Sequence, residues 1–168
     1  AIVMTREENN LIGILNSQLH SEGKHAKELS LIGPATGRWI PEIIEDNDPE
    51  DISYYPYMNG QFVFKNAVVR FTEVINAGLK KAGWDPNQID MLIPHQANLR
   101  IAQYVQKKFG LDDNQVFNNI QRYGNTTAAS IPIALTEAWE EGKIVEGSKV
   151  VLAAFGSGFT WGSIIIQW

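Results

Sequence analysis

The sequence contains no cysteine. That absence excludes disulfides, cysteine-rich zinc sites and any thiol nucleophile in one step. Long hydrophobic runs are missing as well: the longest strand-like stretches are broken by glycine or charge, and none approaches the length that spans a bilayer. No basic segment followed by an apolar one opens the chain, so a cytoplasmic location is expected. Histidine is scarce, at three residues, and His20 and His25 have no partner at metal-ligand spacing, so no metal site is expected. Positive charge is in deficit, with 14 Lys and Arg against 19 Asp and Glu and a net charge of −5. That balance argues against a nucleic-acid-binding surface and leaves room for a local basic patch.

What is present reads as one globular domain. The length of 168 residues can bury a sizeable core, and 44% hydrophobic with 20% charged residues is a globular composition, not a disordered one. Ala1-Ile2-Val3-Met4 reads as a strand already under way, so the sequence is expected to be a piece of something longer. Leu11 to Leu19 reads as its antiparallel partner across a polar turn. Residues 23–60 form a long loop insertion with no clear period, holding four prolines and an acidic cluster from Glu42 to Asp51.

From Gln61 the pattern is regular. Phe64, Ala67, Val68, Phe71, Ile75 and Leu79 recur at helical spacing, and Gly83 is the expected stop. Asp90 to Pro94 is a short buried strand. Asn98 to Phe109 is a second helix, with Ile101, Ala102, Val105 and Phe109 inward and Gly110 at its end. Gln115 to Ile120 reads as a further strand. Thr127 to Trp139 is a third helix, apolar on nearly every face and so expected to be buried on more than one side, with Pro132 in its first turn or at a kink. Lys149 to Phe155 and Phe159 to Trp168 are the closing strands. Strands alternating with helices predict an α/β fold, its sheet mixed and mainly parallel, with helices packed on both faces. Ligands of such sheets gather beyond the carboxyl ends of the strands.

Two polar groups fall there. His95, in Pro94-His95-Gln96-Ala97-Asn98, follows one expected strand, and Asn125, in Tyr123-Gly124-Asn125-Thr126-Thr127, follows the next. An imidazole N–H and a carboxamide N–H aimed at one point would cradle a carbonyl oxygen gaining negative charge. Taken singly, each also has a structural reading, as a satisfied strand-end histidine and as ordinary turn chemistry. Phe155-Gly156-Ser157-Gly158-Phe159-Thr160-Trp161-Gly162 superficially resembles a dinucleotide-binding loop. The residues after it read as a strand, whereas such a loop must open a helix, so it is expected to be a tight hairpin. Asn125-Thr126-Thr127 matches a glycosylation acceptor, but no secretory signal accompanies it.

Together the runs Pro94 to Arg100, Tyr123 to Pro132 and Phe155 to Gly162 resemble the C-terminal half of the 3-oxoacyl-acyl-carrier-protein synthase III family, in order and spacing. Met58-Asn59-Gly60 and Phe64-Lys65 are similar to its stretch ahead of the first C-terminal helix. The resemblance implies half of a thiolase-like fold. It also implies an acyltransferase that condenses an acyl-coenzyme A primer with malonyl-acyl carrier protein, with loss of carbon dioxide, to initiate fatty acid synthesis. It assigns His95 and Asn125 to the malonyl thioester oxygen, the Ser157 backbone N–H to a second oxyanion hole, Phe155 to the lining of the site, Asn98 to the pantetheine arm and Arg100 to the carrier protein. The helical wheel adds Lys107 on the outward face of Arg100. An ordinary solvated helix face remains an equal reading of that pair.

The implied partners are the cysteine-bearing N-terminal half of the same enzyme, acyl carrier protein, a coenzyme A thioester and a second copy in a full-length homodimer. No cofactor beyond these substrates, no nucleic acid and no membrane is expected. Without the cysteine, the chain alone is expected to be inactive. Two alternatives stay open: a related synthase of the same fold making polyketide or alkylquinolone-type products, and a non-catalytic partner subunit that binds carrier protein.

Overall fold

The computed structural model describes residues 2–6, 8, 9, 11–31 and 55–168. Most of the expected loop insertion over 23–60 lies outside these residues. Its two described ends carry a 3-10 turn at Gly23–Glu28 and a two-residue ribbon, β2 (Leu29–Ser30) paired antiparallel with β3 (Tyr57–Met58).

Helix α1 (Gly60–Ala82) starts where the Asn59 side-chain oxygen accepts the Phe62 N–H at 3.3 Å. Its apolar stripe is the expected one except at Phe64, which is only half-buried, and it is widened by Val63 and Val74: Ala67, Val68, Phe71, Ile75 and Leu79 are all buried. Strand β4 (Met91–Pro94) is buried throughout. Helix α2 (Leu99–Phe109) follows, with Ala102 and Val105 buried. Both helices stop at a glycine in the left-handed region, Gly83 at φ 69° and Gly110 at φ 67°. A short α3 (Ile120–Tyr123) and α4 (Ser130–Glu140) lead to the hairpin of β5 (Lys149–Gly156) and β6 (Thr160–Gln167). Pro132 lies in the first turn of α4.

With β1 (Gly13–Ser21), these strands make a four-stranded sheet in the order β1-β6-β5-β4. Alternate residues face opposite sides. Leu92, Val151, Ala153 and Ile165 join the core under α1 and α2, while Met91, Ile93, Val150, Leu152 and Ile166 join the core under α4. Helices therefore cover both faces, as expected.

Four expectations need correction. The sheet is mixed, but among its described strands β4 and β5 are the one parallel pair; β6 returns by a hairpin and β1 pairs antiparallel on its outer edge. Among the described residues no opening strand partners β1: residues 2–6 are irregular, with Val3 90% exposed, because no described apolar surface covers them. The expected strand at 115–120 shrinks to one parallel bridge, Leu92 with Val116. The Phe117 N–H still donates to the Leu92 carbonyl at 3.0 Å, but beyond it the chain leaves the ladder, since the N–H groups of Asn119 and Ile120 donate to the Gln96 side-chain oxygen at 3.0 and 3.2 Å. Finally, the third helix begins at Ser130 after a 3-10 turn, and it buries one side only. Ala134, Leu135 and Ala138 face the sheet, whereas Trp139 is 56% exposed.

Candidate functional site

Strands β4 and β5 are parallel neighbours, so their carboxyl ends share one edge of the sheet. His95 lies just beyond β4, and its backbone N–H donates to the Ala153 carbonyl of β5 at 2.8 Å. Phe155 and Ser157 lie at the corresponding end of β5 and in the turn after it. The bridge at Val116 runs the chain to this same edge, from which α3 leads to Asn125.

His95 is half-buried, and its Nδ1 lies 2.6 Å from the Ser130 hydroxyl at the start of α4. Burial pushes its imidazole below the usual histidine value, so the ring is neutral at neutral pH. A neutral imidazole keeps one N–H to donate. The neighbouring Gln96 is 3% exposed and fully employed. Its amide nitrogen donates to the Pro94 and Phe117 carbonyls at 2.8 and 3.3 Å, and its oxygen receives the two amides of the Asn119–Ile120 turn. Three of these four bonds, to Phe117, Asn119 and Ile120, thus pin the segment that leads to Asn125 against the segment that carries His95.

Asn125 itself is exposed. Its side-chain oxygen accepts the Thr127 N–H at 2.9 Å, which leaves the carboxamide nitrogen available as a donor. Thr127 has φ 53°, a left-handed conformation that this Asx-type bond supports. Upstream, Glu137 of α4 holds α3 from outside: its carboxylate accepts from Asn119 Nδ2 at 2.8 Å, Arg122 Nη2 at 2.6 Å and the Tyr123 hydroxyl at 2.5 Å. The Tyr123 hydroxyl, with Asn119 and Arg122 behind it, keeps that carboxyl below the usual glutamate range.

The Phe155 to Gly162 run is the expected hairpin. Gly158, at φ 132°, occupies a backbone conformation closed to other residues, and the Thr160 hydroxyl donates to the Ser157 carbonyl at 2.9 Å. Ser157 is exposed, whereas Phe155 is 6% exposed and packs against Phe159, the rings tilted by 57° with centroids 4.9 Å apart. Asn98 caps α2, its oxygen accepting the Arg100 N–H at 2.9 Å. Arg100 and Lys107 are both exposed on that helix. The sheet edge thus holds His95, Phe155 and Ser157, with Asn98 opening the helix just after His95, while Asn125 lies exposed on the segment that leads from that edge to Ser130. Arg100 and Lys107 stand apart on the outer surface of α2.

Sequence reasoning missed Ser130, Gln96 and Glu137. Gln96 and Ser130 sat inside quoted motifs, and a polar residue within an apolar strand end or helix start was the available signal. Nothing in the sequence marked Glu137, whose partners lie 14 to 18 residues away. Among the described residues no group of histidines and carboxylates could hold a metal ion, and no helix is long and apolar enough to cross a membrane.

Residues 79–168 match the family model for the C-terminal region of 3-oxoacyl-[acyl-carrier-protein] synthase III. A beta-ketoacyl-[acyl-carrier-protein] synthase III from Desulfotalea psychrophila is 42% identical over the whole chain, which spans 50% of that relative. A counterpart from Symbiobacterium thermophilum is 43% identical over 93% of the chain and 46% of the relative. The crystal structure of the Aquifex aeolicus 3-oxoacyl-[acyl-carrier-protein] synthase III superposes with a TM-score of 0.82 at 38% identity, covering 98% of this chain and 47% of that one. The chain therefore spans about half the length of the curated relatives it matches.

Proposed function

Because the chain belongs to the 3-oxoacyl-[acyl-carrier-protein] synthase III family of the thiolase superfamily, we propose that it supplies the decarboxylation half of a condensing active site. The observation that carries this reading is geometric: His95, at the end of β4, has its Nδ1 2.6 Å from the hydroxyl of Ser130, which opens α4 five residues after Asn125. The nucleophilic cysteine comes from the half of the relatives that this chain does not span. A primer acyl group moves from coenzyme A to that cysteine, with the free thiol of coenzyme A leaving. Malonyl-acyl carrier protein then enters. His95 and Asn125 donate their N–H groups to its thioester oxygen while the bond to the carboxylate breaks. Carbon dioxide departs, and the electron pair is held as an enolate on that oxygen. The enolate carbon attacks the acyl-cysteine carbonyl, whose oxygen charges against the Ser157 N–H, and the cysteine thiolate leaves as the 3-oxoacyl product forms. A neutral imidazole suits this role, since it stabilises the enolate without protonating it.

Asn98, through its uncommitted carboxamide nitrogen, is proposed to meet the pantetheine arm. Phe155 lines the site from below, and Arg100 with Lys107 receives the acidic carrier protein. The whole enzyme is proposed to be a cytoplasmic homodimer that initiates fatty acid synthesis with no cofactor beyond its two thioester substrates.

The test is made in a full-length synthase carrying this chain. His95→Ala and Asn125→Ala each lower release of labelled carbon dioxide from malonyl-carrier protein by about 10²–10³, while single-turnover acylation by acetyl-coenzyme A changes far less. Decarboxylation at the wild-type rate in a folded Asn125→Ala would overturn the reading. The 168-residue chain by itself, having no thiol, acquires no acetyl adduct from acetyl-coenzyme A by intact mass. A stable adduct would show that some other group takes the acyl chain.

A further inference from the structure

We infer that Ser130 is a positioning residue: its hydroxyl donates to His95 Nδ1 and so holds the imidazole as the tautomer whose proton sits on Nε2. This rests on the reading of His95 as an oxyanion donor and says which nitrogen does the donating. The argument follows the protons. Ser130 is 2% exposed. Its oxygen has two partners among the described residues, the Gln96 backbone N–H at 3.3 Å and His95 Nδ1 at 2.6 Å. The Gln96 amide can only donate. If Nδ1 carried the histidine proton, the serine oxygen would receive two donors, and its own proton would be buried with no acceptor. A helical serine often discharges that proton onto the carbonyl four residues back, but Ser130 makes no such bond among the described residues. Every polar group is satisfied only when Ser130 O–H donates to an unprotonated Nδ1. His95 Nε2 then bears the hydrogen, and it has no protein partner among the described residues, so it is available to a substrate oxygen.

The sequence pattern fits this division of labour. Ser130 stands at the first position of α4, five residues after Asn125, so one loop carries both the second donor and the group that orients the first. A shift of that loop would disturb the two together.

The decisive measurement is the nitrogen NMR spectrum of a full-length synthase labelled with 15N-histidine, with His95 assigned by its loss in His95→Gln. Above the ring's titration, the expected spectrum shows His95 Nδ1 as the unprotonated nitrogen and Nε2 as the protonated one. The reverse assignment overturns the proposal, and because it is read from the unmodified protein, no misfolded variant can mask it. In Ser130→Ala, the Nδ1 resonance moves off the unprotonated extreme and decarboxylation falls about tenfold, less than on losing a donor outright, with acylation unchanged. Ser130→Thr, which keeps the hydroxyl, restores both signals. Equal loss of acylation and decarboxylation in Ser130→Ala, or no loss of either, also overturns it. Failure of the wider reading looks different: His95→Ala and Asn125→Ala would decarboxylate normally while the tautomer assignment stood.

Discussion

The two polar residues of the candidate site are held by opposite means. On the His95 side, the two supporting side chains are buried and neutral: Gln96 makes four bonds at 3% exposure, and Ser130 closes on the imidazole. On the Asn125 side, the loop is exposed and its foundation is ionic, with Glu137 gathering Asn119, Arg122 and Tyr123 from outside. A donor that must keep one tautomer needs a dry, fixed surrounding, because a neutral hydrogen bond is worth most where water cannot compete. A carboxamide has no proton to misplace, so its loop can tolerate solvent. The difference locates rigidity where the chemistry of the group demands it.

Breaking the dry side has the larger effect. Gln96→Leu keeps roughly the volume but orphans the Pro94 and Phe117 carbonyls and the Asn119 and Ile120 amides. At about 0.5–1.5 kcal/mol per bond, the expected loss is about 3 kcal/mol, measured as a lowered urea midpoint. The loss is the same at low and high salt, since no charge is involved. A strongly salt-dependent loss would mean that the two sides are not distinct in kind.

Breaking the wet side costs less and depends on conditions. Glu137→Gln keeps the shape and removes the charge, and about 1 kcal/mol is expected at neutral pH, shrinking as salt screens the Arg122 pair. The pH dependence follows from the direction of the shift. The folded carboxyl titrates below its ordinary value because Tyr123, then Asn119 and Arg122, stabilise the anion. Its stabilisation is therefore complete above the unfolded value, about pH 4.3, and is lost as pH falls through the lower folded value. Wild type and Glu137→Gln should differ most at neutral pH and converge in acid. A constant gap down to pH 3 would show that the charge on Glu137 contributes nothing.

How much of this was legible in the sequence divides along the same line. The helices over 60–82 and 99–109 and the closing hairpin follow from periodicity and glycine stops, because local spacing alone decides which face is apolar. The order of elements also led to the expectation that His95 and Asn125 share one sheet edge; the structure places His95 just beyond β4 and bonds it to Ser130, five residues after Asn125. The strand expected at 115–120 failed because a side chain 23 residues away takes its amides, and no local pattern carries that information. Ala1 to Met4 had the composition of a strand, yet residues 2–4 lie exposed with no surface to cover them. Glu137 escaped notice because its meaning is purely tertiary, and Ser130 because its local signal, a polar residue opening an apolar helix, does not say that it meets a histidine 35 residues away.

The contrast sharpens once more on the outer surface of α2, where two charges have no carboxylate partner among the described residues. Arg100 and Lys107 are exposed, and neither pairs with a carboxylate among the described residues, unlike Arg122 beside Glu137. Charges with no internal task are the ones free to meet an acidic carrier protein, and Arg100 lies in the first turn of the helix that opens beside His95. Each exposed pair contributes little, roughly 0–1 kcal/mol, so a single substitution is a weak probe. Reversing both, Arg100→Glu with Lys107→Glu, replaces attraction with repulsion. In a full-length synthase the double variant should raise the apparent KM for malonyl-carrier protein roughly three- to tenfold, less so at high salt. Acylation by acetyl-coenzyme A should hardly change, because that step needs no carrier protein, and stability should hold because no internal bond is lost. Equal losses in both steps would move the docking face elsewhere, and an unchanged KM would return this helix face to ordinary solvent.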